Sequence, residues 1–475
     1  MSDNHAPVLQ RAAELATAFL DQLPERPVGP PVDYAAMAAA LERPLADDGA
    51  DPVAVIEDMA ADADPGIVAT VGPRYFGFVH GGAVPAGVAA DWLATTWDNT
   101  AGMYIGSPAA AVIEQVAAGW LRELFGLTGH GRDISTGFTT GCNMANFTGL
   151  AAARHALLAR HNWDVETQGL FGAPELNVVV GAEAHGSIFA ALQMLGLGRE
   201  RVTRIDADDQ GRMRVDALEA ALARLDGPTV VCVQAGNVNT GAFDPFVPII
   251  AACHARDAWV HVDGAFGLWV TATNDLRHLA EGVEKADSWA ADAHKWLNVP
   301  YDSGIVMTAH REAHEAAMTI SGAYLVKDED GDRDRSNWVP EASRRLRGAA
   351  IYATIRTLGR NGIAAMIDGC CGHARRLSER LGAEPGIDIL NDVVINQVMV
   401  RFGDPSDDSN AATNAFTRRV IAAVQRDGTC WMGETTWRDQ VAMRVSVSNW
   451  RTSADDMERS IDAVLACYEA ERAAS

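Results

Sequence analysis

The 475-residue chain lacks the marks of several protein classes. No apolar run approaches the about 20 residues needed to span a bilayer. The first ten residues, MSDNHAPVLQ, lack the charged-then-apolar layout of a signal peptide. Cysteine is sparse and unpaired in pattern: there are seven, none in a CxxC spacing, and Cys370 stands beside Cys371, a poor geometry for a structural disulfide. A reducing, cytoplasmic setting is therefore expected. No His/Cys cluster has ligand spacing, so no metal is expected. Basic charge is short, with 39 Lys and Arg against 63 Asp and Glu and a formal net charge of -24. Such a surface repels nucleic acid and anionic membranes, so neither is an expected partner. Internal repeats and low-complexity tracts are absent.

What is present is a long chain with enough apolar residues for more than one lobe. Residues 7–23 have helical apolar spacing, and a second helical stretch begins near Tyr34, after the proline-rich break PERPVGPPVDY. Residues 1–80 read as an N-terminal helical and extended segment. From 81 to about 352, short β-branched runs (LNVVVGAEAHG, PTVVCVQAG, AWVHVDGAFG, SGIVMTA) alternate with alanine-rich helical runs. Continuous apolar strands separated by helices predict a mostly parallel sheet covered on both faces, an α/β core. Residues 353–475 turn helical, then carry two strand-like pieces, INQVMVRF and QVAMRVSVS, around a helix at about 410–426. They read as a smaller α+β domain.

Four features carry chemistry. Lys295, in Asp292-Ala293-His294-Lys295-Trp296, follows a buried-looking strand. A partly desolvated lysine has a lowered pKa and attacks carbonyls; a surface lysine in a turn is the plain alternative. Asp263, in His261-Val262-Asp263-Gly264-Ala265, ends an apolar strand about thirty residues upstream. Ligands bind at the carboxyl ends of strands in α/β sheets, and a carboxylate there keeps a pyridine nitrogen protonated; a helix N-cap is the alternative. The run Gly137-Phe138-Thr139-Thr140-Gly141-Cys142-Asn143-Met144-Ala145-Asn146 opens a helix with small and polar residues, leaving backbone N–H groups free for a phosphate. His185, in GAEAHGSIF, lies between a strand and a helix, where an imidazole can stack on a flat ring.

The order phosphate loop, histidine, aspartate, lysine resembles the group II decarboxylases that use pyridoxal 5′-phosphate (PLP), the family of the aromatic-amino-acid, histidine and glutamate decarboxylases. The resemblance runs from about Pro73 to Trp450. It rests on Tyr75-Phe76-Gly77-Phe78, Ser107-Pro108, His185, the Asp263 and Lys295 motifs, Tyr324-Leu325 and Arg344-Arg345-Leu346-Arg347. It implies PLP fold type I, aspartate-aminotransferase-like, with a seven-stranded, mostly parallel sheet and a small C-terminal domain. It also implies a homodimer with shared active sites. Lys295 would carry PLP as a Schiff base, Asp263 would pair with the ring nitrogen, His185 would stack on the ring, and Ala265 would pack on the other face. Cys142 and Asn143 would bind the phosphate, Asn237 would lie near the cofactor oxygen, and His294 would assist beside phosphate and lysine. Tyr324 would return a proton to Cα, on a segment VKDEDGDRDRSNW that reads as a lid with a solvated charge run.

Departures from the family pattern fall in three places. Many relatives have Ser-Glu-Ala in the phosphate loop, where this chain has Asn143-Met144-Ala145, and asparagine can still donate to a phosphate. Asp292 stands where animal aromatic decarboxylases have a phosphate-touching asparagine, and a carboxylate beside phosphate is repulsive. The pocket is reshaped at His80-Gly81, Thr100 and Gly102, with Phe78, Trp97 and Tyr104 nearby. Phe78, His80, Gly81 and Tyr104 are the expected substrate contacts, and an aromatic L-amino acid is the expected substrate, giving amine and CO2. The alternatives are an aminotransferase, for which Arg444 discriminates poorly, an aldehyde-forming decarboxylase, which Tyr324 argues against, and, remotely, a non-catalytic PLP-binding protein.

Overall fold

In the computed structural model, residues 4–29, 32–320, 334–403 and 409–474 are described. The chain divides into two units: one of Met1–His80, Arg376–Ile389 and Val400–Ser475, the other of Gly81–Arg375 and Leu390–Met399. The N-terminal segment thus belongs to the same unit as the C-terminal region. The later division falls at 375/376, within the helical stretch Gly348–Gly382, which kinks at Gly359.

The second unit holds a seven-stranded sheet. Its strands are β1 (Ser135–Thr139), β2 (Asn177–Gly181), β3 (Val202–Ile205), β4 (Thr229–Gln234), β5 (Trp259–Asp263), β6 (Ser288–Asp292) and β7 (Gly304–Thr308), in the order β1-β7-β6-β5-β4-β2-β3. The pairs from β3 through β6 are parallel; β7 is antiparallel to both β6 and β1. β5, β6 and β7 are buried at every residue, as strands covered on both faces must be. The runs NVVVG, TVVCVQ, WVHVD and GIVMT match the sequence reading. β1 (STGFT) and β3 (VTRI) escaped it because they are short and rich in small or polar residues.

The helix Cys142–Ala159 runs beneath this sheet and buries eleven residues, most of them alanine, leucine or glycine. Small side chains let helix and sheet approach. Gly149 shows the constraint: a Cβ there would lie 2.8 Å from the His261 ring.

The first unit carries a four-stranded sheet in the order β10-β11-β9-β8, with β8 Ile387–Ile389, β9 Gln397–Phe402, β10 Gly433–Trp437 and β11 Gln440–Ser446. The helix Asn410–Asp427 buries Phe416, Val420, Ile421 and Val424, and Ala454–Ala473 starts at a Ser453/Asp456 capping box. Arg74 ties the N-terminal segment to this body. It is 3% exposed, donates to the carbonyls of Pro24 and Thr429, and pairs with Asp456 at 3.1 Å. No described helix is long and apolar enough to cross a membrane. All seven cysteines are free thiols.

Candidate active site

Three adjacent parallel strands end side by side: β4 at Gln234, β5 at Asp263 and β6 at Asp292. The cleft above them is lined by His185, Gln234, Asp263, Ala265, Phe266 and Lys295, among others. Carboxyl ends of parallel strands are where α/β sheets bind ligands, because loops diverge there.

Asp263 is 5% exposed. A buried carboxylate without partners costs several kcal/mol, and here donors converge on it. Cys142 Sγ (3.4 Å) and the Ala265 N–H (3.3 Å) approach Oδ1; Asn146 Nδ2 (3.2 Å) and Ser187 Oγ (3.4 Å) approach Oδ2. Burial, then the Asp263 and Asp292 charges, push the Cys142 thiol far up, so it stays protonated and donates. Behind Asn146 lies a buried chain. The Trp259 indole donates to Ser288 Oγ (2.9 Å), Ser288 bonds His261 Nδ1 (2.8 Å), and His261 Nε2 bonds Asn146 Oδ1 (2.9 Å). Burial lowers the His261 pKa to about 4, which keeps the ring neutral. Because Asn146 Oδ1 can only accept, the ring proton sits on Nε2, and each donor in the chain points toward Asp263.

Lys295 follows β6 and lies 2.9 Å from Asp292 Oδ2. Burial pulls its pKa down, but Asp292 and other nearby groups outweigh that, so the ammonium is held above its ordinary value. This corrects the expectation of a lowered pKa. The sequence reading counted desolvation and missed the carboxylate three residues before the lysine. Asp292 is 2% exposed, and its Oδ1 accepts the Cys142 N–H at 2.6 Å. The helix Cys142–Ala159 has no side-chain cap at Gly141, so a carboxylate takes one of its orphan N–H groups. Burial, first among the causes, lowers the His294 pKa. Its Nδ1 accepts the Ser303 N–H (3.0 Å), and Nε2 faces Asp292 Oδ1 at 3.4 Å.

The remaining expected residues fall as follows. His185 is exposed, N-caps the helix Gly186–Met194 through Nδ1, and bonds Ser187 Oγ at 2.9 Å, linking it to the Asp263 cluster. Ala265 lines the cleft. Gly81 lies against Lys295: a Cβ there would come within 1.9 Å of the Lys295 carbonyl, so only glycine fits. Asn143 is exposed in the first helical turn. Asn237 is spent on its own turn. Its Oδ1 accepts from Asn239 and Thr240 N–H, and its Nδ2 donates to Gln234. Gln234 and Phe266 line the cleft, and neither was anticipated. Tyr104 donates its backbone N–H to Asp334 (2.9 Å). Phe78 and His80 belong to the first unit, where Phe78 packs on Trp431 and His80 meets Tyr75 edge-on. Tyr324 lies outside the described residues. Asn146 and Ser187 were missed, although Asn146 sits four residues after Cys142, one helical turn on and facing the same way.

The residues present fit a PLP molecule: a lysine lining the cleft, a buried carboxylate for a protonated ring nitrogen, and a helix start for the phosphate. The family described as pyridoxal-dependent decarboxylase conserved domain matches residues 36–402. Among curated relatives, the aromatic-L-amino-acid decarboxylase of Bacillus atrophaeus is 25% identical, covering 94% of this chain and 92% of its own. The L-2,4-diaminobutyrate decarboxylase of Rhizobium meliloti (strain 1021) is 28% identical, covering 80% and 75%. Among solved structures, Oryza sativa TDC with PLP and tryptamine superposes with a TM-score of 0.91 at 20% identity, covering 99% and 98%.

Proposed function

The chain belongs to the pyridoxal-dependent decarboxylases, with a type I fold and PLP as its cofactor, and from that premise we propose that it decarboxylates an aromatic L-amino acid to its amine. What supports the substrate class is the likeness to the aromatic-L-amino-acid decarboxylase of Bacillus atrophaeus, which extends over 94% of this chain and 92% of that one.

When bound, PLP supplies an electron-withdrawing ring that accepts the electrons of the Cα–carboxylate bond. Asp263 would keep the proton on the ring nitrogen, and the Asn146–His261–Ser288 chain fixes the carboxylate's orientation. Lys295 would hold the cofactor through Nζ. The first turn of Cys142–Ala159, with Cys142 and Asn143, would take the phosphate, and His185 would cover the ring. Tyr324 would return a proton to the substrate Cα, a role that rests on resemblance alone. Tyr324→Phe is then expected to keep PLP and lose amine yield or shift toward aldehyde, read by mass spectrometry of the products.

The active species is proposed to be a cytoplasmic homodimer. Free thiols support the compartment. Unpartnered apolar surface supports the dimer: the helices Ala6–Gln22, Tyr34–Leu41 and Pro52–Ala63 bury no residue, and Trp92, Leu93, Trp97, Ile105 and Val112 are exposed. Competition between L-tyrosine, L-tryptophan and L-2,4-diaminobutyrate in one reaction, with amines quantified, tests the substrate class. Tryptamine or tyramine is expected in excess; preferential formation of 1,3-diaminopropane would reverse the assignment.

A further inference from the structure

Two groups in the network around Asp263 can bond in one sense only, and together they fix the protons between them. The Trp259 indole N–H can only donate, and the Asp263 carboxylate can only accept. Asn146 Nδ2 lies 3.2 Å from Asp263 Oδ2, so the amide is oriented with Oδ1 toward His261. His261 Nε2 then carries the ring proton, and its Nδ1 accepts from Ser288 Oγ, which accepts in turn from Trp259. Trp259, Ser288, His261 and Asn146 are all buried, where such a chain of donors is strengthened by its low-dielectric surroundings.

The network does not stop at Asp263. Asn146 Nδ2 has a second N–H, and Ser187 Oγ lies 3.1 Å from that nitrogen. Ser187 therefore accepts from Asn146 and has one proton left to give. His185 Nδ1 is 2.9 Å from the hydroxyl and Asp263 Oδ2 is 3.4 Å from it, so the histidine is the nearer acceptor. The Ser187 backbone N–H independently donates to the same His185 Nδ1 at 3.2 Å. A ring nitrogen that takes two donors carries no proton, so His185 is neutral and protonated on Nε2. An imidazolium, or the opposite tautomer, would set a ring N–H against a backbone N–H.

We infer that Ser187 is a positioning residue for the reaction: its hydroxyl and backbone N–H together hold His185 in the Nε2–H form and tie that ring to the carboxylate assigned to the cofactor nitrogen. The inference rests on the reading of His185 as the ring that covers the cofactor, and extends it to the charge and tautomer of that ring. Two cations stacked face to face repel each other. A neutral imidazole avoids this above a ring whose own nitrogen is protonated. Ser187 reaches both partners because it sits two residues after His185, in the first turn of Gly186–Met194, and faces a side chain from 41 residues earlier.

The test uses the PLP-loaded full chain labelled at histidine, with the imidazole nitrogens read by NMR and His185 assigned by its loss in His185→Gln. At neutral pH the wild type is expected to show the His185 ring neutral and protonated on Nε2. Ser187→Ala keeps the backbone N–H and removes the hydroxyl. It is expected to bring in the Nδ1–H tautomer and to lower kcat about tenfold, the scale of one hydrogen bond, with KM for the amino acid nearly unchanged. Ser187→Thr, which keeps the hydroxyl, is expected to restore both the spectrum and kcat. An imidazolium or an Nδ1–H ring in the wild type overturns the proposal, whatever the variants do. So does a folded Ser187→Ala with the parent's spectrum or the parent's kcat. Failure of the functional reading looks different: turnover is then found on another amino acid, or on none, while the wild-type ring still shows the Nε2–H form.

Discussion

The two ends of β1 handle charge in opposite ways. Beyond Thr139 the chain enters the cofactor cleft, where the carboxylates of Asp263 and Asp292 meet donors from their own chain. Before Ser135 it borders a cavity lined by Arg122, Arg311 and Arg335 with one carboxylate, Asp133. A site whose polar atoms satisfy one another is held in shape before its ligand arrives, which is what a catalytic centre needs. Both ends rest on a buried neutral histidine: His261 under Asp263, and His314 between Ser135 Oγ (2.9 Å) and the Trp338 carbonyl (2.9 Å).

The sharpest way to break the cofactor end is Lys295→Ala, expected to lower turnover by roughly 10³-fold or more and to remove the absorbance of lysine-bound PLP. Asp263→Asn keeps the shape but cannot hold a proton on the ring nitrogen. Its expected cost is on the order of 10²- to 10³-fold in kcat, with PLP still bound, measured by steady-state kinetics on reconstituted enzyme. An unchanged kcat would remove Asp263 from the electron-sink role.

The two histidines test whether both ends depend on buried neutral rings. Burial, first among the causes, lowers each folded pKa to about 4, while the unfolded chain titrates near 6.5. The unfolded state therefore binds more protons between these values. The contribution is fully present above pH 6.5 and is lost as pH falls toward 4, at about 3 kcal/mol per ring at most. Denaturant melts from pH 7 to pH 4 are expected to show the loss, reduced in His314→Gln. The smallest effect is at Asp292. Its carboxylate takes the helix N–H and the lysine ammonium that PLP requires, so Asp292→Asn is expected to tighten PLP binding about tenfold (~1.4 kcal/mol) in a fluorescence titration. Weaker binding would show that Asp292 helps to hold the cofactor.

Much of this architecture is legible in the sequence because parallel, doubly covered strands announce themselves as apolar runs. Asp263 and Lys295 stand out because charged residues directly after such runs are costly unless used. What sequence hides is contact between distant segments. Ser288 beside His261, and Asp292 beside the start of a helix 150 residues earlier, follow from strand order and not from spacing. The same holds for Arg335, read as a solvated charge and found half-buried. Asn237, placed near the cofactor oxygen by resemblance, also accepts the Asn239 and Thr240 N–H groups within its own turn, a contact spacing alone does not announce.

The most direct test of the central claim is CO2 release by the PLP-loaded protein across the standard L-amino acids, with Lys295→Ala as control. The account predicts release from an aromatic amino acid, stoichiometric with amine and absent in the control. No release from any amino acid by a protein that binds PLP, or equal release by Lys295→Ala, would contradict it.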